Sequence, residues 1–427
     1  MQSAKPEGSQ TNETPDVPEN TKNKTLLTKP VGPKDTPPTP GNETRFPVSF
    51  TGSGKEYFRI WIVNIMLSVL TLFIYSAWAK VRNERYFAGN TFVDDSSFDY
   101  HATGKQILLG RVVAVALLAV AVILGSLSPI AEVAIVLATV LAMPWVIWRS
   151  LKFNFRMKSY RNVRFEFSGS LTGAYLTLLV WPLLPLMIGA IVAGAAFYFL
   201  GSSQIAAISM GLALLATILM IPLVQQKVSH YALNGSQFGQ STFTGTPSAT
   251  RYYSIYLKAL GLSLLIPFAI VSMLAVVFGL MGMQSPDGLT GLLAGAENMD
   301  TSLVIVPVIL MYVFFILGGM LVKSYVSVRI RHHLLSQTQL DGKVSFQSTM
   351  RVLPLMWLVL SNSLLLLVTL GLAMPWTKVR LARYEAEHTC LHSANGLHAV
   401  VAAEQSHQSS LGDEIGEAFD MDVSIGI

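Results

Sequence analysis

Six stretches of the chain, about 107–126, 130–148, 174–200, 204–224, 256–281 and 302–322, run for some 20 residues almost without an ionisable side chain. A helix of that length spans a hydrocarbon core of roughly 30 Å, and a helix keeps every peptide group bonded where no water can reach it. Of the 427 residues, 52% are hydrophobic and 13% are charged, whereas a soluble domain is roughly a quarter charged. The chain therefore reads as a polytopic membrane protein.

Orientation follows from Lys and Arg, which are retained on the cytoplasmic side of short connections. The connections 79–111, 149–164, 227–258 and 323–351 hold five, six, three and five of them, while 127–129, 201–203 and 283–301 hold none. The first set is expected in the cytoplasm, and the loop with Asp287, Glu297 and Asp300 outside. The formal charge of +5 comes from cations beside apolar spans, which fits headgroups rather than nucleic acid.

Two further apolar segments, 57–78 and 355–377, carry basic residues at both ends. Lys55 and Arg59 precede Lys80 and Arg82, and Arg351 precedes Lys378 and Arg380. Each holds an asparagine, Asn64 or Asn362, placed 14 residues before a tryptophan, and each ends in a Thr-Leu-Phe or Thr-Leu-Gly break. Either both cross, giving eight spans with external ends, or both dip and return, giving six spans with cytoplasmic ends. The second reading keeps all the basic clusters on one side.

Past each break comes one pattern, Trp78-Ala-Lys80-Val-Arg82-Asn-Glu-Arg85-Tyr86 and Trp376-Thr-Lys378-Val-Arg380-Leu-Ala-Arg383-Tyr384. Looser copies fall at Pro144-Trp145 with Arg149, Lys152 and Tyr160, at Pro222 with Lys227 and Tyr231, and at Lys323 with Arg329, Arg331 and His333. Five copies mark an internal repeat. Strand-like pieces follow the first four (Phe98-Asp-Tyr100, Phe165-Glu-Phe167, Phe243-Thr-Gly245, Val344-Ser-Phe346), with Asp94-Asp95, Asn234-Gly235 and Asp341-Gly342 as turn chemistry. Each cytoplasmic loop is expected to be a basic interfacial helix followed by a β-hairpin.

Together, Phe50-Thr-Gly52-Ser-Gly54-Lys-Glu-Tyr57-Phe, Leu70-Thr-Leu-Phe-Ile-Tyr75-Ser-Ala-Trp78-Ala-Lys80-Val-Arg82, Arg85-Tyr86 and Gly89-Asn90-Thr91 resemble the YjgN family of bacterial inner-membrane proteins. The resemblance covers roughly residues 46–390. Phe73 and Ala77 stand where the family usually has Gly and Pro, a pattern that Gly371 and Pro375 keep. It implies an inner-membrane location and adds no reaction.

The fold class expected is an all-α polytopic membrane protein, an internally repeated bundle of six to eight membrane segments with short cytoplasmic β-hairpins. Residues 1–44 form a disordered tail, 45–390 the repeated membrane domain, and 391–427 an acidic flexible tail. The lone Cys390 allows no internal disulfide. No cofactor, metal cluster or catalytic constellation emerges, so no enzyme is expected.

Two functions fit. One is a transporter or channel-like protein for a small or lipidic solute, with Asn64 and Asn362 as a polar pathway. The other is a scaffold binding anionic lipid or a protein partner through Trp78, Lys80, Arg82, Arg85, Tyr86, Trp376, Lys378, Arg380, Arg383 and Tyr384. Membrane lipids are the partners expected, and the oligomeric state stays open.

Overall fold

The computed structural model describes residues 44–283, 301–394 and 396–406. The expected tail before Thr44, the acidic external loop and residues 407–427 lie outside the described residues. Among the described residues six helices are long and apolar enough to cross a membrane: α3 (Gly104–Gly125), α4 (Pro129–Arg156), α5 (Leu171–Leu200), α6 (Ser203–Asn234), α7 (Ala249–Met283) and α8 (Thr301–Gln337). At 1.5 Å per residue the 37 residues of α8 extend about 55 Å, so the longer helices project well beyond a 30 Å core. These helices run on through Pro144, Pro185, Pro222 and Pro267.

The two asparagine-bearing segments break and double back. Helix α1 (Gly54–Leu70) turns at 71–75 into α2 (Ser76–Gly89), and α9 (Val352–Val368) turns at 369–373 into α10 (Met374–Glu387). One bonding scheme builds both breaks. Thr71 Oγ1 donates to Leu67 O and accepts from Tyr75 N–H; Thr369 Oγ1 donates to Leu365 O and accepts from Ala373 N–H. The Phe73 N–H bonds Ser68 O as the Gly371 N–H bonds Leu366 O, at φ +67° and +87°.

The turn therefore forms in the first hairpin despite Phe73, at the roughly 1–2 kcal/mol that a side chain costs in this region. Gly371→Val should lower stability by a similar amount and Phe73→Gly should not, as read by thermal unfolding in detergent. Ser76, just past the first break, is hydrogen-bonded to Arg111, seven residues along the 22-residue α3. The break thus reaches only about 10 Å along a spanning helix, as a segment that dips and returns would.

The expectation of an all-α protein is overturned by the basic loops between the spans. Ten strands, β1 (Thr44–Phe50), β2 (Thr91–Val93), β3 (Ser96–Tyr100), β4 (Lys158–Tyr160), β5 (Val163–Phe167), β6 (Ser236–Phe238), β7 (Ser241–Thr244), β8 (Gln339–Leu340), β9 (Val344–Ser348) and β10 (Thr389–Ser393), close into one antiparallel barrel. Separate hairpins would each expose unpaired edges, and pairing every hairpin with the next removes them. Strand β1 completes the circle by pairing its first half with β10 and its second half with β2. With strands of two to seven residues, this barrel is far too short to span a bilayer, which takes about 9–11.

The turns correct the sequence reading in detail. Asp94-Asp95 and Asp341-Gly342 do make turns at positive φ, but so do Arg161-Asn162 and Gly239. Asn234-Gly235 instead ends α6, and the Asn234 amide bonds both the N–H and C=O of Gly245 beyond β7. The expected flexible tail begins with ordered structure, namely β10 and a further helix, α11, over 397–406. Cys390 is accordingly a buried strand residue, its Sγ accepting from Arg45 Nε at 3.0 Å.

The helices follow the same circular order. Each pair, α1/α2, α3/α4, α5/α6, α7/α8 and α9/α10, packs on the next, and α10 returns to α1. Among the described residues no spanning stretch has more than 17% of its residues buried, so most of its apolar surface faces away from the other helices of the chain.

Candidate functional site

The motif residues are the joints of this ring. In the first and last copies the motif tyrosine lies across the start of the helix before it: Tyr86 accepts from Ser53 N–H (2.8 Å) and donates to Ser53 O (2.9 Å), and Tyr384 does the same with Arg351 (3.3 and 3.2 Å). Tyr231 donates to Ser170 O, and in the fourth copy His333 takes the tyrosine's place, accepting from Ser248 N–H at 3.1 Å. The tryptophans reach forward to the next repeat. Trp78 packs on Gly104 at the start of α3 and Trp376 on Gly54 at the start of α1, so closely that a Cβ at either glycine would overlap the ring.

The arginines, though exposed, also bond within the protein. Arg85 Nε donates to Tyr100 O at 3.1 Å and Arg383 Nη2 to Gly52 O at 2.9 Å, so the last copy grips the beginning of the chain as the first grips the second repeat. In the looser second copy Trp148 rather than Trp145 makes the joint, donating from Nε1 to Gly169 O at 2.7 Å.

Asn64 and Asn362 are both buried. The Asn64 amide donates to Asn83 Oδ1 (3.1 Å) and accepts from Arg82 Nη1 (3.3 Å); Asn362 donates to Thr377 O (3.4 Å) and accepts from Arg380 Nη1 (2.9 Å). Each amide thus ties the two arms of its own hairpin, with asparagine and arginine 18 residues apart in both. Lys80 and Lys378 are exposed and have no hydrogen-bond or ion-pair partner among the described residues.

A second region escaped the sequence reading. The barrel encloses a cavity of about 460 Å³ walled by Phe98, Phe165, Phe238, Phe243 and Phe346, with Tyr160 among them. The rings contact one another around the wall, with centroids 5.0 Å apart for Phe98–Tyr160 and 5.1 Å for Phe165–Phe238. Alternation along each short strand turns these side chains inward. The cue was present in the Phe-x-Phe and Phe-x-Tyr pieces, but their convergence depends on the barrel closing.

One end of the cavity is floored by Ala382, Glu385 and Ala386 of α10 with Arg331 of α8 and Thr389. Arg331 Nη2 donates to Thr389 Oγ1 at 2.9 Å, and Nη1 lies 4.0 Å from Glu385; its buried Nε has no hydrogen-bond partner among the described residues. The other end is covered by α11 through Leu397, Val400 and Val401.

Polar bonds hold that cover. The buried Glu404 carboxylate accepts from Gln240 N–H and Ser241 Oγ, both at 2.6 Å. His398 lies between Arg161 (3.1 Å from Nδ1) and Asp94 (3.2 Å from Nε2), which requires Nδ1 to accept and Nε2 to carry the proton. Glu404→Ala removes both acceptors at about 1.5–3 kcal/mol, so hydrogen exchange across 397–406 should rise while the spanning helices keep their protection.

Burial pushes the Tyr160 phenol upward, Arg161 opposes this, and Asp94 adds to it. Burial, assisted by Glu84, also raises Tyr100. Both phenols therefore stay neutral well into alkaline solution, and Tyr160 donates to Val93 O at 2.7 Å. Raised values mean that this contribution to stability is complete below the ordinary tyrosine range near 10 and is lost above it. Among the described residues no His, Cys, Asp and Glu group is placed to hold a metal.

The profile of a family described as "Bacterial protein of unknown function (DUF898)" matches residues 45–418, which takes in the hairpins, the spans, the barrel and α11. The chain belongs to this family. Among the curated proteins it resembles is the inner membrane protein YjgN of Escherichia coli O157:H7, 24% identical over 359 residues that cover 80% of this chain and 87% of the relative. YjgN of Salmonella typhimurium strain LT2 is 27% identical over 356 residues with the same coverage. No solved structure matches. With its six apolar helices and these inner-membrane relatives, this chain is a multi-pass inner-membrane protein.

Proposed function

We propose that the protein takes up a lipidic solute from the bilayer and holds it in the lumen of the cytoplasmic barrel, as a transporter or carrier of amphiphilic molecules. One observation carries the reading: the aromatic cavity of about 460 Å³, closed by α11 at one end and bearing Arg331 at the other. That volume falls in the range of roughly 300–1,000 Å³ typical of small-molecule sites, and an acyl chain gains about 0.8 kcal/mol for each methylene buried. The guanidinium with its unpartnered Nε suits an acidic head at the chain's end. No ionisable pathway through the spans is needed, because an apolar solute meets no barrier among exposed apolar helices.

The test is displacement of a fluorescent polyene fatty acid from purified protein. Filling the lumen from its cover and floor with Val400→Trp and Ala382→Phe should weaken binding at least tenfold, since neither change touches the barrel strands. Equal binding by wild type and the double variant would sink the reading.

A second reading rests on Lys80 and Lys378. The neighbouring arginines are also exposed but each holds an internal hydrogen bond, which leaves these two lysines as the motif cations without a partner among the described residues and so the freest to meet anionic headgroups, at about 1 kcal/mol each. They suit anchoring of the two terminal hairpins. A reporter enzyme active only in the periplasm and fused after Ile427 should be silent if the hairpins dip and return; an active fusion contradicts that topology.

A further inference from the structure

A second concavity lies outside the barrel, between the first turns of α7 and the last turns of α8. It measures about 700 Å³ and is lined by Arg251, Lys258, Arg329, His332 and His333, with Ser248, Thr250, Ser254 and Ser336 between them. Spacing puts them there. Residues 251, 254 and 258 share one face of α7, and 325, 329, 332, 333 and 336 share one face of α8.

Among the described residues no acidic side chain lines the cleft. Several basic groups of the same side are instead neutralised or bonded internally: Arg161 by Asp94, Arg82 by Asn64, Arg380 by Asn362, Arg383 by Gly52 O. Arg251 and Lys258 have no hydrogen-bond or ion-pair partner among the described residues, and Arg329 only lies over the Tyr325 ring at 5.7 Å. His333 is held by Ser248 N–H and stacked edge-on to Tyr252, which fixes the wall between the two helices. Three permanent cations facing one another without a counter-charge repel, and an anion between them removes the penalty.

We infer that this cleft is a binding site for a phosphate-bearing anion. Guanidinium forks and hydroxyls are the donors that phosphate oxygens accept, and Arg251 with Arg329 supplies one fork from each helix. The site opens where the apolar part of α7 begins, and Leu257, Leu260, Leu264 and Leu265 are all exposed there. A diacyl phosphate lipid could thus place its head in the cleft and its chains along that helix. The inference stands apart from the lumen and holds whether or not the lumen takes a solute.

The full-length protein in a mild neutral detergent, titrated with phosphatidylglycerol, phosphatidylcholine or inorganic phosphate and followed by native mass spectrometry, tests it. Wild type should retain phosphatidylglycerol at least tenfold better than Arg251→Gln/Arg329→Gln, with phosphatidylcholine weak on both. Lys55→Gln/Lys105→Gln, which removes the same net charge from exposed positions elsewhere, should match wild type. If inorganic phosphate displaces the lipid at low millimolar concentration and binds alone, the site serves soluble phosphates; if it does not, the site serves headgroups. Unchanged retention in the cleft variant, or an equal loss in the Lys55/Lys105 control, would overturn the assignment. Melting temperatures of all three proteins show that a loss of binding is not a loss of fold.

Discussion

Replacing Asn64 and Asn362 together with leucine is expected to lower the melting temperature of the purified protein by roughly 10 °C or more. Each substitution strips a motif guanidinium of a buried amide acceptor, a loss of about 1.5–3 kcal/mol for a hydrogen bond to a charged group. The two sites lie in different hairpins, so the losses should add. Asn64→Asp with Asn362→Asp keeps an acceptor facing each arginine and should retain most of the stability. A polar pathway makes the opposite demand: leucine should block flux in a protein that melts normally. Unfolding followed by tryptophan fluorescence separates the two roles.

The lumen variant Val400→Trp/Ala382→Phe carries the second large effect. Added side-chain volume inside the 460 Å³ cavity adds apolar contacts without straining the wall, so thermal stability should hold or rise. Fatty-acid affinity should fall at least tenfold. A variant that loses stability by the 1–3 kcal/mol typical of overpacking would show that the lumen is smaller than the structure makes it.

Much of the membrane half was legible from the residues alone. Span length, the one-sided distribution of lysine and arginine, and the matched breaks at Thr71 and Thr369 are local properties, and local properties survive into the fold. The β-barrel was not legible as a barrel. Each hairpin shows only two to five residues of pattern, and nothing in Phe98-Asp-Tyr100 or Val344-Ser-Phe346 states which neighbour it will pair with. Closure depends on β1 meeting β10 across almost the whole chain, the least local contact in the molecule.

The same limit explains α11. Its acidic, cation-free surroundings read as a solvated tail, yet Leu397, Val400 and Val401 fall on one face and Glu404 finds two donors in the turn between β6 and β7. Only a closed lumen gives that face something to cover. Among the motif residues, the reading as headgroup binders rested on the interfacial chemistry of Trp, Tyr, Lys and Arg and on the matched spacing of the first and last copies. The structure uses the tyrosines, Arg82 and Arg380 to tie each hairpin together and Arg85 and Arg383 to join neighbouring repeats, and leaves Lys80 and Lys378 exposed without a partner among the described residues.

The most direct test of a lumen-bound lipidic solute is photolabelling with a fatty acid that carries a diazirine midway along its chain, followed by peptide mapping. Labels are expected on the inward residues of β5, β6, β7 and β9 and on Val400 or Val401 of α11, and excess unlabelled fatty acid should suppress them. Labels confined to the spanning helices and the two hairpin tips, with the barrel and α11 unmarked, would contradict the account.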